Sequence, residues 1–236
     1  MLSTEYLADL LEKNRAAARA RVKEFSLGGH HFDFNSRPSL MGVINLSPDS
    51  WYRESVCLSV DSAIQRGRVL QAQGAALVDL GAESTLAQAA RVDDTAQNQK
   101  LLPVVRALRA QGILVSVETY QPAVTRACLE AGANVLNLTN TENNDEQYRM
   151  TAGHDAAAII CYVEGRNVRE VNDFDLSTDP IPRMLDYFSR QIELAAQITE
   201  TIPCLPRRDG GGRNRRRGIR RWRGPNPACI PRRWPL

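Results

Sequence analysis

Small polar side chains close two apolar segments of this sequence, and their types suit the binding of a polar ring or an anion. The first segment reads Met-Gly-Val-Ile-Asn-Leu-Ser-Pro-Asp-Ser over 41–50, and the second reads Asp-Leu-Gly-Ala-Glu-Ser-Thr over 79–85. In the first, Asn45 follows a β-branched pair. An amide offers both a donor and an acceptor, and its oxygen also suits a hard cation. These segments are therefore the first candidates for a binding site.

Two further apolar segments end in polar side chains. Glu118 follows the run 113–117, and Asn137 lies near the end of the run 134–138. A carboxylate can accept two hydrogen bonds from neighbouring N–H groups of a ring. In a parallel α/β barrel, catalytic and binding residues gather at the carboxyl ends of the strands. We therefore expect Glu118 and Asn137 to share one rim with Asn45 and Thr85.

The elements that must position these side chains alternate between strand and helix. Apolar runs predict strands at 40–46, 76–81, 113–117, 134–138 and 156–163. Helical periodicity predicts helices at 60–73, through 101–108, at 122–130 and at 184–199, with a short helix after Asp145. This alternation indicates an α/β fold with a parallel sheet. A full (β/α)8 barrel needs about 250 residues, so the pattern over 39–205 predicts an incomplete TIM-type barrel of five to six units.

The two motif segments resemble the two signatures of the dihydropteroate synthase family of pterin-binding barrels. The resemblance extends from about Ser39 to Thr199. It implies a transferase of folate biosynthesis that joins 6-hydroxymethyl-7,8-dihydropterin pyrophosphate to p-aminobenzoate and releases pyrophosphate. It also implies Mg²⁺ as the cofactor, small-molecule substrates as the partners, and a homodimer as an option.

The resemblance assigns roles to individual residues. Asn45 and Thr85 are expected to be catalytic, with Asn45 also holding the metal, and Glu118 and Asn137 are expected to bind the pterin. The residues expected to order the two loops are Ser47, Asp49, Glu83 and Ser84.

The sequence departs from the family pattern at three places. Leu86-Ala87-Gln88 stands where the family has Arg-Pro-Gly, Glu118 stands where it has Asp, and Cys161-Tyr162-Val163 stands where it often has Met-His-Met. A missing guanidinium removes a two-pronged contact to an anion. A second reading therefore stays open, in which the chain is a pterin- or folate-binding barrel without synthase activity.

The two ends of the chain lie outside the barrel pattern. Residues 1–38 are expected to form a helix over Thr4–Phe25 and a turn or small hairpin around Gly28-Gly29. Residues 206–236 are expected to be a disordered, arginine-rich tail, and the abrupt loss of pattern there suggests a reading-frame error or a truncation. The alternative is a basic tail that touches nucleic acid through phosphate contacts.

Charge and composition narrow the class of protein. The segment 201–236 holds 11 Arg and one Asp, so the net charge of +3 conceals an acidic remainder. That acidic remainder argues against nucleic-acid binding as the main function. No stretch is long and apolar enough to cross a membrane, and charged residues interrupt the first apolar stretch, so a cytoplasmic location is expected. The five cysteines contain no Cys-x-x-Cys pair, which favours isolated thiols over disulfides or zinc ligands.

Overall fold

Two sheets and seven helices make up the part of the chain that the computed structural model describes, namely residues 3–142, 144–172 and 179–201. The strands are β1 (Phe25–Leu27), β2 (His30–Phe32), β3 (Leu40–Asn45), β4 (Ala75–Gly81), β5 (Val115–Thr119), β6 (Val135–Leu138) and β7 (Ala157–Ile160). The helices are α1 (Thr4–Lys13), α2 (Arg15–Arg19), α3 (Val60–Ala72), α4 (Asp94–Arg109), α5 (Pro122–Glu130), α6 (Asn144–Gly153) and α7 (Ile181–Thr201). A 3-10 turn lies at Arg53–Ser55.

The main sheet is parallel and follows the order of the chain, β3-β4-β5-β6-β7. One helix follows each strand, and successive helices from α3 to α7 contact one another. Five consecutive βα units are therefore present, which confirms the α/β prediction and its parallel sheet. In the described residues β3 and β7 lie at the two edges of the sheet.

The two faces of the sheet differ in chemistry. Ile44, Leu80, Val117 and Leu136 pair side by side across four strands, and all are buried. The first three of them pack with buried residues of α3, α4 and α5 in the largest apolar cluster. Because side chains alternate along a strand, the opposite face carries the intervening residues, and these include Asn45, Asp79, Glu118 and Asn137. The helices thus hold the sheet from one side and leave the polar side chains on the other.

The β1–β2 hairpin covers the amino ends of the strands, at the edge remote from the polar side chains. Leu27 and Phe32 are buried and pack against Leu114 and Val135. The ring of Phe32 also stacks on that of Phe25 at a centroid distance of 5.1 Å. The predicted turn or hairpin is therefore a hairpin.

The prediction of one helix over Thr4–Phe25 was wrong beyond Lys13. The Asn14 side chain donates to the carbonyl oxygen of Leu10 at 2.9 Å, which ends α1, and the short α2 ends at Arg19. Further on, the backbone of Val22 exchanges two hydrogen bonds with the amide of Asn35 at 2.7 and 2.8 Å. These bonds tie the segment to the hairpin in an extended form that a helix could not adopt.

The third barrel strand lies two residues later than the sequence indicates. Ile113 donates its N–H to the carbonyl oxygen of Leu108 at 3.1 Å, so it belongs to the turn that follows α4. The strand then runs from Val115 to Thr119 and includes Glu118. The helix α4 is continuous from Asp94 to Arg109, with Pro103 inside it.

Several sequence predictions concern residues outside the described part. These are the end of the barrel pattern at 202–205 and the arginine-rich tail at 206–236. The division of the chain at residues 38 and 205 stays a prediction. Within the described residues, none of the helices has the length and apolarity needed to span a bilayer.

Gly67 permits the close contact between α3 and α4. A Cβ added there would lie 2.7 Å from Cδ2 of the buried Leu108. We expect Gly67→Ala to lower the free energy of unfolding by about 1–3 kcal/mol through overpacking. Chemical denaturation measures this loss. Gly153→Ala is the control, because a Cβ there meets nothing within 4 Å. Equal stability of both variants would contradict the packing account.

Candidate active site

A single row of side chains crosses the carboxyl edge of four strands. Asn45 pairs with Gly81, Gly81 with Glu118, and Glu118 with Asn137. A Cβ added to Gly81 would lie 3.0 Å from Oε2 of Glu118 and 3.2 Å from Oδ1 of Asn45. The missing side chain at Gly81 therefore leaves room in which a carboxyl and an amide oxygen face one another.

Asn45 is held by hydrogen bonds from its own loop. Its Nδ2 donates to Oγ of the buried Ser55 at 2.7 Å, and Ser55 in turn donates to the carbonyl oxygen of Tyr52 at 2.6 Å. The backbone carbonyl of Asn45 also accepts the N–H of Cys57 at 2.8 Å. These bonds fix the amide so that its oxygen lies on the Gly81 side of the strand.

A cavity of about 420 Å³ opens above this row. Asn45 and Glu118 line its floor, Thr85 and Glu83 line it from the second loop, and the exposed Trp51 belongs to its outer wall. The remaining lining residues are Val43, Ser50, Tyr52 and Ser84. Its size suits a small ligand, and its walls offer an aromatic surface beside amide, hydroxyl and carboxyl groups.

A buried chain of hydrogen bonds fixes Asn137. Its Nδ2 donates to Oδ2 of Asp79 at 3.1 Å, while its Oδ1 accepts from Sγ of Cys161 at 3.2 Å. Burial, then the charges of Glu118 and Asp79, raise the pKa of Cys161, so the thiol stays protonated and remains a donor. The amide therefore sits in one orientation between a carboxyl on one side and a thiol on the other.

Two carboxyl groups lie close together beneath the cavity. Asp79 is 6% exposed, and burial raises its pKa against the hydrogen bond from Asn137. The pKa of Glu118 is raised to about 7, chiefly by burial, then by the charge of Asp79, with a smaller effect of Glu83. Two neighbouring carboxyl groups in a buried site can both ionise only at a high cost in free energy. Glu118 therefore exchanges its proton near neutral pH.

The loop after β4 is held by a buried ionic contact. Oε2 of Glu83 accepts the hydroxyl of Tyr120 at 2.7 Å, and its Oε1 accepts the N–H of Val92 at 2.9 Å. Nη1 of Arg169 lies 3.7 Å from the same Oε1, with both side chains almost fully buried. Burial and the bond to Glu83 raise the pKa of Tyr120 to about 12, so its hydroxyl donates throughout the ordinary pH range.

The two motif loops also contact each other. Oγ of Ser84 donates to the carbonyl oxygen of Asp49 at 3.0 Å and accepts the N–H of Leu86 at 3.2 Å. Oγ of Ser47 accepts the N–H of Asp49 at 3.4 Å. The loops that follow β3 and β4 are thus joined above the cavity.

A divalent cation at this site would find the amide oxygen of Asn45. Within the described residues, no three His, Cys, Asp or Glu side chains are grouped so that they could hold a metal. Oδ1 of Asn45 faces the space at Gly81, while Nδ2 of the same amide is engaged by Ser55. Mg²⁺ is commonly held by one or two protein oxygens together with substrate phosphates and water. The residues therefore fit a cation that arrives with a phosphorylated ligand.

The structure brings most of the predicted site residues together. Asn45, Thr85, Glu83, Ser84 and Glu118 line one cavity. Asn137 pairs with Glu118 on the neighbouring strand without lining that cavity, and Ser47 and Asp49 order the first loop from outside it. Their roles in binding and catalysis stay predictions.

Sequence reasoning missed three contributors to the site. Asp79 holds Asn137, Ser55 holds Asn45, and Arg169 holds the second loop. The charge of Asp79 inside the otherwise apolar run 77–80 could have identified this residue. No comparable signal marks Ser55 or Arg169, because both lie in polar loops.

Comparison with known proteins points to one family. The family described as pterin binding enzyme matches residues 41–199. The dihydropteroate synthase of Synechocystis sp. is 29% identical over 168 residues, which cover 70% of this chain and 57% of that protein. The mitochondrial folate synthesis bifunctional protein of Arabidopsis thaliana is 35% identical over 160 residues, covering 66% of this chain and 29% of that protein.

Solved structures with the same fold carry related names. The Yersinia pestis dihydropteroate synthase in complex with a sulfonamide drug superposes with a TM-score of 0.64 at 26% identity, covering 75% of this chain and 63% of that one. The Thermus thermophilus dihydropteroate synthase in complex with 4-aminobenzoate gives 0.62 at 27% identity, with the same coverage. This chain therefore spans less than two thirds of the length of these relatives.

We expect the proton on Glu118 to make stability depend on pH. In the folded chain the pKa of Glu118 is about 7, above its ordinary value of 4.5. The protonated carboxyl therefore makes its full contribution to stability below pH 4.5, and this contribution is lost as the pH rises through 7. Glu118→Gln, which stays neutral, should raise the free energy of unfolding by about 1–3 kcal/mol at pH 8 and change it little at pH 4.5.

Urea denaturation at the two pH values measures this difference. Glu130→Gln is the control, since Glu130 is exposed at the end of α5. A gain from Glu118→Gln that is equal at both pH values would show that the carboxyl does not titrate in this range.

Proposed function

Because the chain belongs to the pterin binding enzyme family, whose pattern covers residues 41–199, we propose that it binds a pterin at the carboxyl edge of its parallel sheet. We further propose that it acts as a dihydropteroate synthase-type transferase. In this reaction the amine nitrogen of p-aminobenzoate forms a bond to the methylene carbon of 6-hydroxymethyl-7,8-dihydropterin pyrophosphate. The carbon–oxygen bond breaks, pyrophosphate leaves, and the amine loses a proton.

The observation that carries this proposal is the row formed by Asn45, Gly81, Glu118 and Asn137 under the 420 Å³ cavity. A pterin edge carries both donors and acceptors, and the fixed amide of Asn137 and the carboxyl of Glu118 supply the complementary groups. Asp79 and Cys161 hold that amide in place before a ligand arrives. Such preorganisation lowers the free energy spent on ordering the site when it binds.

The charge of the cavity suits the transition state of this transfer. Two carboxyl side chains, Glu83 and Glu118, line it, and its described lining contains no Lys or Arg. Positive charge develops on the pterin methylene as the pyrophosphate departs, and nearby carboxylates stabilise it. Ionised Glu118 performs this role best, so we expect the reaction to speed up as the pH rises through about 7.

The same charge disfavours the bare pyrophosphate group. We propose that Mg²⁺ accompanies it and that Asn45 supplies the protein ligand through Oδ1. When bound, the cation neutralises the phosphate oxygens and stabilises the leaving group. Thr85, which lines the cavity on the second loop, adds a hydroxyl donor for the anion.

A second candidate is a pterin-binding barrel without synthase activity. Leu86, Ala87 and Gln88 offer no charge directly after Thr85, where the family pattern has an arginine that could bind an anion. Glu118 is also one methylene longer than Asp, and a displacement of about 1 Å can cost on the order of a hundredfold in rate. Both differences are expected to lower the rate of catalysis more than they lower the affinity for the pterin ring.

The family resemblance supports two broader proposals. These are a location in the cytoplasm and assembly into a homodimer. The mass of the purified chain in solution tests the dimer.

Calorimetric titration with 6-hydroxymethylpterin tests the pterin site. We expect binding by the natural chain and a loss of about tenfold to a hundredfold in affinity for Asn137→Ala, because about 1–3 kcal/mol is lost with the hydrogen bonds of this half-buried amide. Gln99→Ala, which removes an exposed amide on α4, should bind as the natural chain does. Circular dichroism shows whether each variant has folded.

An assay with the pterin pyrophosphate, p-aminobenzoate and Mg²⁺ then separates the two candidates. Formation of dihydropteroate supports the transferase. Pterin binding without product supports the second candidate, and no pterin binding by a folded chain rejects both.

A further inference from the structure

The segment that follows β7 crosses the open edge of the site to reach the loop that follows β4. We refer to residues 161–172 as the strap. It folds on itself, since Asn172 donates its N–H to the carbonyl oxygen of Glu164 at 2.6 Å and Gly165 bridges to Val171. A Cβ at Gly165 would lie 2.1 Å from the carbonyl oxygen of Glu170, so only glycine fits this turn. The strap is therefore a defined structure.

Backbone hydrogen bonds fasten the strap to the end of β6. The N–H of Val168 donates to the carbonyl oxygen of Thr139 at 3.1 Å, and the N–H of Thr141 donates to that of Arg166 at 2.9 Å. These bonds place Arg169 at a fixed point beside the carboxyl ends of the strands. The N–H of Arg169 also donates to Oδ1 of Asn167 at 2.9 Å.

From this point the Arg169 guanidinium reaches two carbonyl groups of the loop after β4. Nη1 donates to the carbonyl oxygen of Ser84 at 2.6 Å, and Nη2 donates to that of Ala89 at 2.5 Å. Nη1 also lies 3.7 Å from Oε1 of Glu83, and the arginine side chain is only 3% exposed. The guanidinium serves the two acceptors from two separate nitrogens held in one plane, whereas the ammonium of lysine has a single nitrogen.

We propose that Arg169 is a positioning residue for Glu83, Ser84 and Thr85, which line the cavity. The guanidinium clamps the backbone on both sides of Thr85 and offsets the buried charge of Glu83. The clamp thereby sets where the Thr85 hydroxyl stands relative to Asn45. Arg169 is absent from the cavity lining and acts through the loop.

Hydrogen–deuterium exchange of the full chain tests the clamp without any ligand. We expect Arg169→Lys and Arg169→Met to speed exchange of the amides at 84–92 at least about tenfold, since the bonds that close this loop depend on its position. The strand amides of β3 to β6 should keep their protection. Arg19→Met is the control, because Arg19 is an exposed arginine at the end of α2, outside both the strap and this loop.

Two results would overturn the proposal. One is unchanged exchange at 84–92 in both Arg169 variants. The other is an equal rise in exchange across β3 to β6 in Arg169→Lys, which would give Arg169 a role in global stability alone.

Ligand binding supplies a second readout, which rests on the proposed function. Arg169→Lys should weaken binding of pyrophosphate with Mg²⁺ about tenfold, while its affinity for 6-hydroxymethylpterin changes less than about twofold. Equal weakening for both ligands would contradict a role confined to the loop. If the natural chain binds neither ligand, the proposed function fails while the exchange result still decides the role of Arg169.

Discussion

The parallel pairing of β3, β4, β5 and β6 is the constraint on which the rest of the site depends. Because these strands share one direction, their carboxyl ends meet at one edge, and residues far apart in the chain come into one row. A shift of one residue in any strand would send its polar side chain to the helix-covered face. Packing of Ile44, Leu80 and Val117 against α3, α4 and α5 prevents such a shift, because these side chains must stay buried. Burial of the apolar face therefore determines which side chains lie on the polar face.

Electrostatics gives this edge its particular character. Three carboxyl side chains, Asp79, Glu83 and Glu118, lie at this edge, and each is accommodated in a different way. Asp79 accepts from Asn137, Glu83 accepts from Tyr120 and faces Arg169, and Glu118 keeps its proton up to a pKa of about 7. The site thus presents carboxyl groups to a ligand while Arg169 is taken up by the loop. Such an arrangement favours a ligand that carries positive charge and disfavours a bare anion.

Periodicity predicted the barrel units well, since apolar strands and amphipathic helices have different repeats. It also placed Asn45, Thr85, Glu118 and Asn137 at one edge. It failed where a single local bond decides the structure. Asn14 ends α1, and the amide of Asn35 holds Val22 in an extended form. Arg169 could not be found in this way, because its role depends on a contact across 85 positions of the chain. The family pattern has a guanidinium directly after Thr85, whereas in this structure the guanidinium of Arg169, from the strap after β7, contacts the same loop.

The most direct test of this account is a crystal structure of the chain with 6-hydroxymethylpterin bound. The account predicts that the edge of the ring carrying the 2-amino group lies against the side chains of Asn137 and Glu118, with its hydroxymethyl group directed toward Asn45. A ring bound elsewhere on the surface, or held only against Trp51 with no contact to Asn137, would contradict it.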